Sequence, residues 1–220
     1  LDIDMIKEPK KLSQINFTAD DLCIFAVPSY GGRIPSVTAE IFGNLKGNGA
    51  KAVLTAVFGN KAIDDTLIEL QDILEKDGFA ILAGIEAVSQ HSLMSAFGKD
   101  RPDENDKKDL IAFGRKIKEK AEKGTINTVV LPGNHNYRTY NGVPFKPKAN
   151  GKCNKCGICA NECPAKAIPK ENPKITDENK CISCMHCVFV CPQKARHFSK
   201  IVSLVAAHKM KKFCSSRKEN

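Results

Sequence analysis

Residues 153–164 read "CNKCGICANECP", and residues 181–192 read "CISCMHCVFVCP". Each stretch has the form C-x2-C-x2-C-x3-C-P, and the second follows the first at an offset of 28 residues. Together they hold eight of the ten cysteines in the 220-residue chain. This repeat predicts that the C-terminal part of the chain folds around whatever its thiols hold: each other, zinc or iron.

The spacing of the thiols separates these three possibilities. Disulfides are a poor fit, because nothing in the sequence suggests export and adjacent C-x2-C pairs make awkward bridges. Zinc is the serious alternative, but structural zinc usually takes two C-x2-C pairs separated by a spacer. Three thiols at a spacing of three can each meet a different iron corner of a cubane, while the fourth is aimed elsewhere. The second copy of the run favours iron further.

The spacing resembles that of bacterial two-cluster ferredoxins, in which the fourth cysteine of each run ligates the other cluster. The resemblance implies two [4Fe–4S] clusters. The first would be held by Cys153, Cys156, Cys159 and Cys191. The second would be held by Cys181, Cys184, Cys187 and Cys163. The apolar shell around them is predicted to come from Ile158, Ile168, Ile175, Ile182, Val188 and Val190.

The first half of the chain alternates apolar runs with segments of helical period. Strands are predicted at 1–6, 21–28, 50–59 and 79–88, and helices at 36–47, 64–78 and 103–124. Strands that are apolar on both faces and alternate with helices predict a parallel α/β sheet with helices on both sides. We therefore predict an α/β domain at 1–124, a linker that packs over another part at 125–150, and a small α+β cluster domain at 151–220. The last domain includes a basic helix at 199–213 and a tail that frays.

Two loops follow strands of the predicted sheet, at the carboxyl edge where such sheets bind ligands. The glycines of the loop 28–35 allow close approach to a flat ring, on which Tyr30 could stack. In the loop 59–65, Asn60 could hydrogen-bond a ring edge, and Asp64 or Asp65 is predicted to cap the next helix. Ordinary turn chemistry is the alternative for both loops.

Several stretches, taken with the cysteine runs, resemble flavodoxin–ferredoxin fusion proteins of anaerobic microbes. They are "VPSYGGRIP" (27–35), "GNKAIDD" (59–65), "SQHS" (89–92) and "LPGNHNYR" (131–138). The resemblance implies a doubly wound, flavodoxin-like domain that binds FMN and exchanges electrons with the clusters. The implied FMN residues are Pro28, Ser29, Tyr30, Gly31, Gly32, Gly59, Asn60 and Asp64. Residues 1–6 match the second strand of such domains, so the first strand, the phosphate loop and the first helix are expected to be missing.

The predicted function is electron transfer by two [4Fe–4S] clusters, with FMN as the partner cofactor. Two alternatives stay open: a flavin-dependent reductase fed by the clusters, and a ferredoxin whose α/β domain binds no FMN and only docks partners. No arrangement of acid, base or nucleophile stands out in the sequence, so no catalytic residues are assigned and a carrier is favoured over an enzyme.

Charge is divided unevenly, with a net −3 in residues 1–123 and +12 in residues 124–220. Two oxidised clusters with their thiolates would supply about −4 of compensating charge. The remaining cations could dock an acidic redox protein, although a solvated helix face is the simpler interpretation. They include Lys209, Lys211, Lys212, Arg217 and Lys218. No nucleic-acid motif, signal peptide or membrane-length apolar run is visible, so we expect a cytoplasmic protein without membrane insertion.

Four further residues carry weaker expectations. Cys23 lies in the middle of a strand, which predicts a buried, inert thiol, whereas Cys214 lies in the polar tail and is predicted to be unbound. His186 stands between two predicted ligands and could donate to a sulfur, unless it is merely exposed. Ile63 takes a position where related proteins often offer an aromatic ring to the flavin.

Overall fold

The computed structural model describes residues 1–5, 7–12, 14–124, 128–143 and 146–220. These residues divide into two compact units, each of which is treated by itself below. The first consists of Leu1–His91, Ala96–Tyr140 and Ser216–Asn220, and the second of Ser92–Ser95 and Asn141–Ser215. The last five residues thus belong to the unit that begins the chain.

The first unit is built on a parallel sheet of three strands. These are β1 (Leu22–Pro28), β2 (Lys51–Phe58) and β3 (Ala80–Val88), in the order β1-β2-β3. Both pairings are parallel. The predicted parallel α/β arrangement is confirmed for these strands, while the complete flavodoxin topology stays a prediction.

The N-terminal segment differs from expectation. Among residues 1–5 and 7–12 there is no strand, and the last four of these form the short helix α1 (Pro9–Leu12). Ile6, the last residue of the predicted strand, lies outside the described residues. The strand prediction for 1–5 is wrong: only Ile3 and Met5 among these residues are even partly shielded from solvent, so their apolar side chains do not meet the burial a strand face requires.

Three helices follow the strands of this sheet. They are α2 (Ser36–Phe42), α3 (Thr66–Lys76) and α4 (Glu104–Glu122). Helix α3 packs against β2 and β3, and α4 packs against β3. Asp103 begins α4 with a capping box, in which its carboxylate accepts the N–H of Asp106 and the Asp106 carboxylate accepts the N–H of Asp103. Reciprocal caps of this kind satisfy two helix N–H groups that have no partner within the helix.

The core of the first unit lies where the sheet meets α2 and α3. Leu54, Leu70 and Leu74 are fully buried there, and Phe25 packs edge-to-face on Phe42 with ring centroids 5.3 Å apart. Each such side chain contributes about 1.5–3 kcal/mol through its removal from water. Strand β1 departs from the prediction of burial on both faces. Its Leu22 and Ile24 side chains are 44% and 69% exposed, because β1 is an edge strand of the described sheet and only its Phe25 face meets the core.

The predicted linker packs over the first unit as far as Tyr140. Val129 and Leu131 contact its core. The Asp65 carboxylate accepts the N–H groups of Asn134 at 2.9 Å and Arg138 at 2.7 Å. These bonds, that of Arg138 above all, hold the pKa of Asp65 below its ordinary value. The carboxylate at the start of α3 therefore binds the linker instead of capping the helix.

The second unit contains short elements and one long helix. The strands β4 (Lys148–Ala149) and β5 (Arg196–His197) pair in antiparallel fashion. Between them lie the single-turn helices α5 (Ile158–Asn161) and α6 (His186–Phe189), and after them comes α7 (Lys200–Cys214). None of the helices in the described part of the chain is both long and apolar enough to cross a membrane.

Candidate metal centre

The repeat in the sequence is also a repeat of backbone conformation. Helices α5 and α6 begin 28 residues apart, as the two cysteine runs do. Three pairs of positions, also 28 residues apart, take the left-handed conformation that side chains other than glycine rarely adopt. They are Lys155 and Ser183, Gly157 and Met185, and Lys166 and Lys194. The two runs therefore fold in the same way, which is what two equivalent thiol sites require.

The first set of thiols combines the two runs. The Cys159 thiol interacts electrostatically with those of Cys153 and Cys191. Cys153 lies in the same run, but Cys191 is the fourth cysteine of the other run. Cys156, the remaining predicted member, is exposed at the surface of this loop.

The second set also combines the two runs, and it lines a cavity. Cys181, Cys184 and Cys187 of the second run face this cavity together with Cys163, the fourth cysteine of the first run. Apolar side chains close it, including Ile168, Ile182 and Met185. The sequence assigned these four cysteines to one cluster, and the fold brings them together around one enclosed space.

Backbone amides point at the fourth cysteine of each run. The N–H of Ala167 donates to Cys163 Sγ at 3.3 Å, and the N–H of Ala195 donates to Cys191 Sγ at the same distance. Such bonds favour the thiolate, which is the form that binds metal. They arise because each C-P pair opens a turn that folds the next three residues back over the sulfur.

Burial acts on the thiols in the opposite direction. It raises the pKa of the Cys159 and Cys184 thiols and raises that of Cys187 to about 11. Burial also acts on Cys191, but the N–H groups of Arg196, Ala195 and Gln193 outweigh it and hold the pKa of this thiol below its ordinary value. Buried thiols with a raised pKa lose their protons when a metal supplies the compensating positive charge.

Arg196 is a site residue that the sequence analysis missed. It is only 2% exposed, and its guanidinium lies 3.9 Å from Cys159 Sγ through Nη1. It also donates to the carbonyl oxygens of Pro173 at 2.7 Å and Pro147 at 3.0 Å, and to the Thr176 hydroxyl. Its Nε is buried without a hydrogen-bond partner among the described residues. The repeat in the sequence could have identified it, because Arg196 occupies the position that corresponds to the buried Ile168 in the first run.

These residues fit an iron–sulfur cofactor. The donor sets consist of thiols alone, amides are aimed at two of the sulfurs, and a buried guanidinium with an orphaned N–H lies beside a third. Among the described residues, no three or more His, Cys, Asp or Glu side chains lie close enough together to hold a single metal ion. A cubane does not require this, because each of its four thiolates binds a different iron.

The predicted apolar shell is only partly confirmed. Ile168 is buried, and Val190 packs with it against Cys159. Ile158, at the start of α5, and Ile175 are instead 39% and 53% exposed, so neither belongs to a buried shell. His186 does not face a sulfur through its ring, whose Nε2 lies 3.4 Å from a Glu162 carboxylate oxygen.

The first predicted FMN loop is filled by the protein's own side chains. Tyr30 and Arg33 bond to each other through their backbones, and Gly31 and Gly32 between them both have positive φ. A Cβ on Gly31 would stand 2.2 Å from the Tyr140 ring, and one on Gly32 would stand 2.5 Å from Asp64 Cβ. The flat ring that the glycines admit is therefore Tyr140. Pro28 ends β1, and the Ser29 hydroxyl donates to the Ile63 carbonyl at 3.3 Å.

The second predicted FMN loop is filled in the same way. A Cβ on Gly59 would stand 2.7 Å from His91 Cα. Asn60 is 3% exposed; its Nδ2 donates to the Ser216 carbonyl at 2.9 Å, and its Oδ1 accepts the Lys218 N–H at 3.0 Å. Asp64 pairs with the Arg138 guanidinium, and Ile63 is buried in the core. In this conformation the protein's own groups contact both loops, and FMN binding at these residues stays a prediction.

Two expectations about the C-terminus are wrong. The tail was predicted to fray, but Ser216–Asn220 bonds to the first unit through Asn60, Arg101 and Val88. Cys214 was placed in a polar tail, but it is 1% exposed at the end of α7. The tail is ordered because a buried carboxylate and a buried amide of the first unit bind its polar groups, which no local pattern shows. Cys23 is half-buried, and burial raises the pKa of its thiol.

Comparison with known proteins supports the interpretation of the cysteine region. A family model described as a 4Fe-4S dicluster domain matches residues 152–196. The trichloroethene reductive dehalogenase of Dehalococcoides mccartyi (strain ATCC BAA-2266 / KCTC 15142 / 195) is 38% identical over an alignment of 68 positions, and the match covers 23% of this chain and 12% of that protein. The chain therefore corresponds to a small part of that relative. No solved structure is significantly similar to the chain. Residues 152–196 are a ferredoxin-type 4Fe-4S dicluster domain.

Proposed function

We propose that this protein is an electron carrier that holds two [4Fe–4S] clusters with crossed ligation. The observation that carries the proposal is the pairing of thiols across the repeat. Cys191 joins Cys153 and Cys159, while Cys163 joins the second run around one cavity. Crossed ligation makes each run depend on the other, so the clusters and the fold stabilise each other.

The residues of the chain bind, space and tune the cofactors. The cluster domain would hold one cluster through Cys153, Cys156, Cys159 and Cys191, and the other through Cys181, Cys184, Cys187 and Cys163. Each such cluster supplies a one-electron redox couple when bound. The amides of Ala167 and Ala195 stabilise the thiolates, and apolar side chains line the space that the second set shares.

The test is anaerobic analysis of iron, inorganic sulfide and the EPR spectrum of the reduced protein. We expect about eight irons and eight sulfides per chain, as two cubes require. Cys163→Ser should damage the cluster that Cys181, Cys184 and Cys187 hold, and leave the other signal in place. Cys23→Ser, which changes a half-buried thiol of the other unit, is the matched control and should leave both signals intact. Colourless protein that contains zinc and no sulfide would refute the proposal.

For the first unit, the geometry favours the docking alternative over FMN binding. Tyr140, His91 and the C-terminal tail stand where the predicted loops would meet a flavin ring. We therefore assign no electron step to a flavin. Titration of the purified protein with FMN, followed by quenching of flavin fluorescence, should show no binding. Binding with a 1:1 stoichiometry, or FMN released by acid from the purified protein, would restore the flavodoxin hypothesis.

The partner we propose is an acidic redox protein. Lys209, Lys211 and Lys212 are exposed on α7 and could meet its carboxylates. Arg217 differs from them, because it pairs with Asp103 and Asp106 inside the first unit. Replacing the three lysines by glutamine should slow electron exchange with an acidic donor at low salt, and the difference should vanish at high salt. Equal rates at low salt would remove the partner proposal and leave the cluster proposal intact.

The reductase alternative needs a direct test of turnover. The relative named above is a reductive dehalogenase, but the similarity covers only 12% of that protein, so its activity does not transfer to this chain. Under anaerobic conditions with excess reductant, a carrier should reduce redox proteins and dyes only. Sustained turnover of a small organic acceptor would favour the reductase.

A further inference from the structure

The two halves of the cluster domain differ at one buried position. The runs "CPAKAI" (163–168) and "CPQKAR" (191–196) align at the 28-residue offset, and both are buried at their last residue. The first ends on Ile168 and the second on Arg196. The Ile168 position is 4% exposed and that of Arg196 is 2% exposed. One half of the repeat therefore buries an apolar side chain where the other buries a cation.

The cation has no carboxylate partner. In the part of the chain that the structure describes, Arg196 forms no ion pair, and its hydrogen-bond acceptors are two carbonyls and a hydroxyl. Its Nε has no acceptor at all among those residues. A buried charge without a counter-charge is strongly destabilising, so such residues are normally paired or bound to an ion. The guanidinium also interacts with the thiols of Cys159, Cys187 and Cys191.

The contact with sulfur is unequal between the two predicted clusters. Nη1 of Arg196 lies 3.9 Å from Cys159 Sγ, a predicted ligand of the first cluster. Cys187 is the residue of the second run that corresponds to Cys159, and the residue that corresponds to Arg196 there is Ile168. Ile168 belongs to the apolar cluster against which Cys187 packs, and it carries no charge. Arg196 also interacts with Cys191 of the first predicted set and with Cys187 of the second, so it lies beside two predicted ligands of the first cluster and one of the second.

We propose that Arg196 is the buried counter-ion of the clusters and raises the reduction potential of the first cluster relative to the second. This inference rests on the cluster ligation of the proposed function. Reduction adds one electron, and hence one negative charge, to a cluster without making or breaking a bond to the protein. A cation held beside a ligand sulfur favours that added charge. Arg196 acts on the cluster through the sulfur it contacts, so it is a positioning and tuning residue.

The experiment compares Arg196→Met, which keeps the length and removes the charge, with Arg196→Lys, which keeps the charge. Lys170→Gln removes an exposed charge from the same unit and is the matched control. Iron and sulfide are measured first, so that a failure of the cluster proposal itself is recognised before any potential is read. Protein-film voltammetry, with the electrode as electron source, then gives both one-electron couples of each loaded protein.

In Arg196→Met, we expect the reduction potential of one couple, assigned to the first cluster, to fall. The expected change is about tenfold in the equilibrium constant, or about 59 mV for one electron. The other couple should shift by less. Arg196→Lys should retain most of the wild-type difference, and Lys170→Gln should leave both couples within about twofold of wild type. If Arg196→Met loads no clusters while Arg196→Lys loads both, the need for a buried charge is supported directly.

Three outcomes would overturn the inference. The first is a fully loaded Arg196→Met protein whose couples both stay within about twofold of wild type. The second is an equal shift of both couples, which would remove the preference for the first cluster. The third is loss of both clusters in Arg196→Lys and in Arg196→Met. The site would then require the shape of the arginine side chain and not its charge.

Discussion

Asp106 is a buried carboxylate whose replacement gives a sharp test of the first unit. Its side chain is fully shielded from solvent and forms an ion pair with the buried Arg101 guanidinium. It also accepts the Asp103 N–H at 2.7 Å and the Asn220 side-chain amide at 2.9 Å. Arg217 lies 3.4 Å away on the exposed side. Asp106→Asn keeps the shape and one or two of these hydrogen bonds but removes the charge.

The expected loss of unfolding free energy follows from the buried Arg101 charge that Asp106→Asn leaves without its partner. Removing one member of a buried ion pair costs about 3–5 kcal/mol, because the other charge remains buried and uncompensated. The Arg101 side chain is only 5% exposed, so water cannot replace the lost partner. The retained hydrogen bonds place Asp106→Asn at the lower end, about 3 kcal/mol of unfolding free energy. With a urea m-value of about 2 kcal/mol/M, the midpoint should fall by about 1.5 M.

The assay follows from the distribution of aromatic residues. The chain has three tyrosines and no tryptophan, and Tyr30, Tyr137 and Tyr140 all lie in the first unit. Tyrosine fluorescence during urea unfolding therefore reports on that unit. Asp109→Asn makes the same chemical change at an exposed position of the same helix and should stay within about 0.5 kcal/mol of wild type.

The effect should also depend on pH with a definite sign. The Arg101 guanidinium, acting chiefly through its hydrogen bonds, holds the pKa of Asp106 below its ordinary value. The stabilisation is therefore fully present above about pH 4 and is lost as the pH falls through the lower pKa of the folded state. Wild type and Asp106→Asn should converge in acid. The reasoning fails if Asp106→Asn costs no more than Asp109→Asn at neutral pH, or if the gap between wild type and Asp106→Asn persists unchanged in acid.

Three more predictions concern the first unit. Gly31→Ala should cost at least about 2 kcal/mol, because its φ is +62° and its Cβ would meet the Tyr140 ring. Gly114→Ala, in open space on α4 of the same unit, should not lower the stability, and equal urea midpoints for the two variants would contradict the close packing. Deletion of Ser216–Asn220 should lower the free energy of unfolding by about 2 kcal/mol, because the hydrogen bonds of the tail outweigh the entropy cost of ordering five residues. An unchanged urea midpoint would mean that the tail is not docked. Glu69→Gln should lower the free energy of urea unfolding by about 3 kcal/mol, because it leaves the part-buried Arg33 guanidinium without its carboxylate. A loss below about 1 kcal/mol would contradict this reasoning.

Much of the fold could be predicted because it depends on local patterns. The apolar runs at 21–28, 50–59 and 79–88 are strands within a residue or two of the predicted bounds. The N-terminal strand failed because a short apolar run forms a strand only when it finds a neighbour to pair with. The prediction that β1 is buried on both faces failed for a related reason, because the burial of a face depends on which elements cover it.

The grouping of the cysteines could also be predicted from spacing. A thiol every third residue constrains what the loop can hold, and a second copy repeats that constraint, so the assignment of Cys163 and Cys191 to opposite sets needed no coordinates. The loops assigned to a flavin illustrate the opposite case. The glycines indicate that another group approaches the backbone closely, but the sequence does not show whether that group is a ligand or the Tyr140 ring.

The sequence by itself indicated the 4Fe-4S dicluster domain and the parallel strands, because both follow from residue types at short, regular spacings. Only the tertiary structure decided the burial of Arg196, the docking of the tail on Asn60 and the side chains that fill the glycine loops. These are contacts between residues far apart in the chain, such as Asn60 and Ser216. Their free energy depends on which groups lose water together, and that is fixed only when the chain has folded.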